Sequence, residues 1–322
     1  MKKILLLILI PVLGMSQNQF SFGFDGTTAA MVTAGWTQTN QSTSPSTTAL
    51  WSNATYTAVV VNGTVTPANA FGNQTYADGQ TSPIPNGQAG GANSFALVNF
   101  ASTTSTASTG ATISNWLITP TITVQNGDVV SFFSRKGTSG TTDYADRLEL
   151  RMSSLATHVN PSTGPTDVGS FTTLCTSVNP SLLTGFVYPK TWTQYSYTVA
   201  GLSAVTPVKF AFRYHVTNGG TNGANSDIIG LDTFSVDRTL STDSFFNNNF
   251  SIYPNPVVDI INISSLNNTE ISKVAITDIN GRIVKEVISS VNNFSVNELN
   301  AGIYFLKIFT KEGTGTSKFV KN

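Results

Sequence analysis

Cysteine is nearly absent from this 322-residue chain, where Cys175 stands alone. A single thiol rules out an internal disulfide, so stability has to come from core burial or a metal. Cys175 lies between Leu174 and Thr176 and reads as a small buried hydrophobe, not a reactive thiol. Histidine is almost as scarce, with only His158 and His215, and one cysteine with two histidines makes a zinc site untenable. Charged residues are 11% of the chain, against about 25% in an average globular protein. The 17 basic and 17 acidic side chains cancel, so no global field attracts nucleic acid or an anionic membrane. Long apolar runs are missing too. Residues 4–13 form an apolar stretch about half the roughly 20 residues that a membrane span needs.

That short stretch follows Lys2 and Lys3 and precedes Gly14, Met15 and Ser16. A basic start, a short apolar core and small residues before a cut at Gln17 are the layout of a secretory signal peptide. Residues 1–16 are therefore expected to be removed on export, with no transmembrane anchor left behind. No cysteine follows the apolar core, which argues against a lipoprotein anchor. The rest is rich in Thr, Ser, Asn and Gly, a mixture that suits extracellular β-proteins.

Charge density divides the chain. Residues 17–240 carry 8 basic and 10 acidic side chains, while the much shorter 241–322 carries 7 and 7. Around the step lie Ser241, Thr242, Asp243 and Ser244, then Asn247, Asn248 and Asn249, which read as a linker. The expected layout is a signal peptide at 1–16, a large domain at 17–238, a linker at 239–249 and a small domain at 250–322.

Both domains read as all-β. Val208, Phe210, Phe212, Tyr214 and Val216 share one strand face, with Lys209, Arg213 and His215 on the other. Leu148, Leu150 and Met152 alternate with Glu149 and Arg151, and similar runs surround Val130, Phe132, Tyr195 and Tyr197. A β-sandwich follows for the large domain. In the small one, Asn280-Gly281 between two alternating runs signals a hairpin, and strands follow at Gly302 and near Thr316. About 80 residues with six or seven short strands suggest an immunoglobulin-like sandwich. Pro254 and Pro256 flank Asn255 and are expected to mark the entry of its first strand, because proline lacks the amide a ladder needs.

The last 72 residues resemble the type A C-terminal sorting domain of the type IX secretion system of Gram-negative bacteria. The resemblance rests on Tyr253-Pro254-Asn255-Pro256, Asn280 to Val284 with Gly281, Leu299 with Gly302-Ile303-Tyr304, and Lys318-Phe319-Val320-Lys321. It implies recognition by outer-membrane secretion machinery, with Asn255 among the residues read, and removal by a sorting peptidase. The protein then ends outside the cell or on its surface. Residues 20–237 resemble the choice-of-anchor J family, relatives of cleaved-adhesin and MAM-like jelly rolls. Gly35-Trp36, Asn115 to Pro120, Ala145 to Ser153, Trp192 to Tyr195, Lys209 to Tyr214 and Gly230 to Val236 carry that likeness. It implies a jelly-roll sandwich and names no activity.

In related jelly rolls an acidic residue on the first strand and one on the last share a calcium ion. Asp25 and Asp232 occupy those places, and Asp227 precedes the same last strand. Calcium takes several oxygen ligands and is plentiful outside cells. The plainer reading is a turn at Asp25 and a local hydrogen bond at Asp232. Thr37-Gln38-Thr39-Asn40 stands where relatives carry an acidic cluster.

Catalytic motifs are missing: there is no Gly-x-Ser-x-Gly elbow and no His-Glu-x-x-His. Glu149 reads as a solvated outward residue, and both histidines as surface or loop residues. Trp116 and Trp192 read as core. Trp51 is the tryptophan least constrained by its context, and an exposed ring there would stack on a sugar. The loop at 218–223 reads either as a binding edge or as a long turn. The expectation is a secreted or surface-displayed, non-enzymatic adhesin-like protein with a glycan or protein ligand. The alternative is a carbohydrate-binding or accessory module acting with a secreted hydrolase.

Overall fold

The computed structural model describes residues 16–57, 59–61, 64–66, 84–137, 142–239, 242–266, 269–311 and 313–322. Nearly all of the signal segment lies outside them. Two compact units emerge, residues 18–237 and a smaller one centred on 238–322.

The large unit is an antiparallel sandwich of two six-stranded sheets. One sheet runs Thr193–Thr198, Val129–Lys136, Ile228–Thr239, Ala96–Asn99, Ser52–Asn53, with Ser16–Phe22 also pairing with Ile228–Thr239. The other runs Thr173–Val178, Leu148–Ser153, Thr206–Gly219, Ala111–Ile118, Thr37–Asn40, with Ile122–Val124 on Thr206–Gly219. Most successive strands pass from sheet to sheet, the crossing pattern of a jelly roll. Period-two alternation set the inner faces as expected: Val208, Phe210, Phe212, Tyr214 and Val216 are all fully buried. Across the interior Phe212 meets Phe132 edge-on at 5.0 Å and Phe234 at 5.6 Å. Trp51, the tryptophan considered for stacking on a sugar, is fully buried in this core. Its indole N–H donates to the Asn115 carbonyl at 3.1 Å, and its own carbonyl accepts from Gln38. Burying that ring with its one donor satisfied outweighs any exposure its polar neighbours suggested.

The outward face of the second sheet departs from the usual solvated pattern. Glu149 and Arg213, cross-strand partners, are buried there. Glu149 Oε2 accepts from Arg151 Nε at 2.7 Å and lies 3.2 Å from the Arg213 guanidinium, while its Oε1 lies 3.1 Å from His215 Nδ1. Arg147 donates to the His215 carbonyl at 2.7 Å. Arg213 stacks over Trp116 and donates to the Pro165 carbonyl of a covering loop. Glu149 is thus a lone carboxylate among three arginines and not a solvated surface acid. Desolvation pushes its carboxyl up, but hydrogen bonds from His215 and Arg151 and the arginine charges outweigh this and hold it well below the usual carboxylate range.

The small unit has three strands in one sheet (Phe250–Tyr253, Ile260–Ser265, Asn293–Ser295) and four in the other (Ile283–Val287, Ile271–Asp278, Gly302–Thr310, Thr314–Lys321). That is the expected small sandwich. Its interior holds Val257, Ile261, Val274, Ile276, Leu306, Ile308 and Phe319. The stretch expected to be a linker contains a helix, Thr242–Asn249. Phe246 of that helix is buried in the small core, and Gly315 on the last strand makes room for it. A Cβ on Gly315 would come within 3.0 Å of Phe246 Cα. Eight residues are too few to show helical periodicity, so the asparagines masked it.

Two outcomes follow. Phe246→Ala removes a buried ring and should lower the stability of the small unit by about 3–5 kcal/mol, read as an earlier denaturant midpoint. Glu149→Gln leaves three arginines without their carboxylate and should cost the large unit about 3–5 kcal/mol. Because the folded Glu149 carboxyl sits below its unfolded value, its stabilisation is present above about pH 4.3 and fades below it. The gap between wild type and Glu149→Gln should therefore narrow in acid melts.

Candidate functional site

Asp25 and Asp232 come together, and the fold explains how. Phe24 is fully buried at φ 51° and packs on Trp36 at 5.0 Å, which turns the next residue, Asp25, outward. Asn53 donates to the Phe24 carbonyl at 2.5 Å and pins the same turn. Asp232 lies where the pairing of Ile228–Thr239 with Val129–Lys136 slips, and Thr233 beside it sits at φ 49°. Such a bulge re-aims a side chain. The Asp232 carboxylate, completely buried, accepts from the backbone amides of Gln88 (2.7 Å), Ala89 (3.1 Å) and Thr233 (2.6 Å).

Both carboxylates face the turn at 87–91. A Cβ on Gly90 would land 2.1 Å from Asp25 Oδ1, and one on Gly87 would lie 2.8 Å from Asp232 Oδ2. Only glycine leaves space for the two acids at this turn. Burial pushes the Asp232 carboxyl up to about 6, against the pull of its three amide donors, and the negative charge of Asp25 adds to the rise. Two carboxylates thus converge on a glycine cradle, one of them raised by desolvation and like charge, and oxygen donors of this kind are the type a hard cation such as calcium takes. Among the described residues no group of three or more His, Cys, Asp or Glu is placed to hold a metal. Asp227 does not join the pair. Its amide donates to Asp146 Oδ1 at 2.9 Å, in a separate network with Tyr214, whose hydroxyl donates to the same oxygen at 2.5 Å.

That second network borders a cavity of about 310 Å³ lined by Phe100, Tyr144, residues 220–223, Ser226 and Asp227. The 218–223 loop, read from sequence as binding edge or turn, supplies much of its wall. No local motif pointed here, because the lining residues come from three separate segments. Trp192, expected in the core, is half-buried, with Arg135 over its ring and its N–H donating to the Asn86 carbonyl at 3.3 Å.

The remaining reactive groups are tied into packing. Ser153, the hydroxyl 3.0 Å from His158 Nδ1, is fully buried and donates to Ser170 Oγ at 2.8 Å. Desolvation lowers His158, with Lys209 adding to the shift. Burial pushes the Cys175 thiol up to about 12, so it stays protonated.

In the small unit the prolines follow the first strand instead of opening it. Phe250–Tyr253 ends at Pro254, and the Asn255 side chain bonds the last strand, accepting from the Val320 amide at 3.0 Å and donating to the Lys318 carbonyl at 3.3 Å. Proline ends the ladder because it brings no amide, and Asn255 takes up the last strand's free groups. Val257 bridges Lys321, and Lys321 also pairs with Gly302. Tyr304 stacks on Phe319 at 5.6 Å. Gly281, at φ 79°, closes the turn in which Asp278 accepts from the amides of Asn280 and Arg282. Of the sequence signature, Asn255, Gly302, Tyr304, Lys318 and Lys321 gather around the docking of the C-terminal strand, while Gly281 turns the hairpin at the other edge of that sheet.

Residues 251–322 match the family described as secretion system C-terminal sorting domain. No curated protein matches the chain in sequence. Among solved structures the chain is similar to the K1 cleaved adhesin domain of Lys-gingipain from Porphyromonas gingivalis W83. Identity is 17% and the TM-score 0.35, over 70% of this chain and 99% of that one. For the K3 cleaved adhesin domain of the same protein the figures are 16%, 0.35, 68% and 99%. The adhesin domain of Epf from Streptococcus pyogenes gives 10% identity and a TM-score of 0.32, over 70% of this chain and 75% of that one. No helix among the described residues is long and apolar enough to cross a membrane. The chain thus carries a secretion system C-terminal sorting domain in residues 251–322, and type IX secretion takes it to the cell surface or the extracellular space.

Proposed function

We propose that the large unit is a non-enzymatic, adhesin-like ligand-binding module presented outside the cell by its sorting domain. The observation that carries this reading is the cavity of about 310 Å³ at the 220–223 loop, built from loop backbone, aromatic rings and polar side chains. Acid–base and nucleophilic groups elsewhere serve packing: Glu149 and His215 hold arginines, and the Ser153 hydroxyl is sealed in the interior. Residues 1–16 take the chain across the inner membrane as a signal peptide, and the sorting peptidase removes the small unit after export. Asp25 and Asp232 hold a calcium ion that cross-braces the first turn, the 87–91 loop and the Ile228–Thr239 strand. The ion's part is structural, neutralising two converging carboxylates.

Purified full-length protein laid on paired arrays of glycans and extracellular proteins should show saturable binding to at least one class, without turnover. Hydrolysis of an array ligand that disappears on changing a single Asp or Glu would overturn the non-enzymatic reading.

The calcium site has a separate readout. Asp232 has a folded value near 6, above its unfolded one, so the folded state binds the extra proton between about pH 4 and 6. Without calcium the melting temperature should rise as pH falls from 7 to 5. Calcium at pH 7 should raise it as well, by about 2.7 kcal/mol of stability at a hundredfold excess over its Kd. Asp232→Asn should abolish both responses. A melting temperature indifferent to calcium and chelator would sink the site.

A further inference from the structure

We infer that the cavity beside the 220–223 loop is a saccharide subsite that takes one uncharged terminal sugar ring. This rests on the ligand-binding reading above and names the chemical class of its ligand.

The lining sets the chemistry. Tyr144 is 36% exposed and Phe100 half-buried, so two aromatic rings border the space. A pyranose presents an apolar C–H face to such rings and a rim of hydroxyls to everything else. Thr221, Asn222 and Ser226 and the backbone of residues 220–223 supply donors and acceptors for that rim. None of the lining residues is basic, so the site offers nothing to a phosphate, sulfate or sialic acid carboxylate. Asp227 is only 3% exposed, and its negative charge acts with burial to push the neighbouring Tyr56 phenol up. Asp227 is too buried to project as a bait for cations. A volume of about 310 Å³ is at the lower end of the ~300–1,000 Å³ usual for small-molecule sites, which suits one ring and not an extended chain.

The cavity walls are also held in place before any ligand arrives. Lys136 is fully buried, lies 3.0 Å from Asp146 Oδ2, pairs with Asp143 and donates to the Tyr144 carbonyl at 2.6 Å. That ammonium fixes the backbone beneath the Tyr144 ring. The Asp227 carbonyl accepts from the Phe100 amide at 2.8 Å, which ties the second ring to the floor. In the loop, Ser226 Oγ accepts from the Gly220 amide at 2.8 Å, and the Gly220 carbonyl accepts from the Gly223 amide at 3.0 Å. Asn222 donates to the Thr106 carbonyl at 2.8 Å, securing the rim. A wall already ordered spends little entropy on binding, which matters for a weakly held sugar.

The test is ligand-observed NMR on the full chain with methyl glycosides of glucose, galactose, mannose and N-acetylglucosamine, and with choline as a cationic probe. At least one glycoside should bind saturably, and Tyr144→Ala and Asn222→Ala should each weaken it by about tenfold, about 1.4 kcal/mol, with unchanged melting temperatures. Tyr144→Phe should retain binding, since the ring face is what the sugar uses. Binding by none of the four glycosides, equal binding by Tyr144→Ala, or binding of choline alone would overturn the inference. Where an array protein binds and no glycoside competes, the saccharide assignment falls while the ligand-binding reading stands.

Discussion

Trp36 is the ring on which the large unit closes. It stacks on Phe212 of one sheet at 6.5 Å, meets Phe234 of the other edge-on at 5.7 Å, and packs on Phe24 at 5.0 Å. Each aromatic pair contributes about 0.5–1.5 kcal/mol beyond the area it buries, and here they share one ring. The cluster does more than fill space. Anchoring Phe24 turns Asp25 outward, and anchoring Phe234 fixes the strand just past the bulge at Asp232. The two carboxylates meet at the 87–91 turn because the core holds both their neighbours.

Polar burial divides the unit into two further zones. On the outer face of the second sheet, one carboxylate serves three arginines, a concentration of charge in a chain that has little. At the loop end, Lys136 gathers Asp143, Asp146 and the Tyr144 carbonyl, and Asp146 in turn holds Tyr214 and the Asp227 amide. The first network locks a sheet face beneath its covering loop. The second shapes a cavity wall. Both put ionised groups where the low dielectric makes pairing obligatory, so neither tolerates loss of a single partner.

Much of the fold was legible in the residues. Alternation in Val208–Val216 and Leu148–Met152 gives the inner faces directly, because a strand's side chains have period two. Asn280-Gly281 gave its hairpin, and the sorting signature gave the destination. Several readings went astray for physical reasons, three of them instructive. Trp51 had polar neighbours in sequence but lies over strands distant from it, and Asn115 satisfies its donor. Glu149 alternates with core residues, yet a loop returns to cover the opposite face. Residues 242–249 looked like a linker because asparagines hid a helix whose Phe246 completes the small core.

The candidate site shows the same division. The resemblance to related jelly rolls singled out Asp25 and Asp232, and Asp227 was placed with them because it precedes the same strand in sequence. Only the tertiary structure separates Asp227 from that pair, since five residues along a strand carry a side chain roughly 16 Å away. The sequence by itself determined the strand pattern, the two-part organisation and the export address, all of which depend on local periodicity or contiguous motifs. The cavity, the paired carboxylates and the arginine-bound glutamate were decided by the tertiary structure alone. Their groups lie far apart along the chain and acquire their chemistry only when burial and neighbouring charge bring them together.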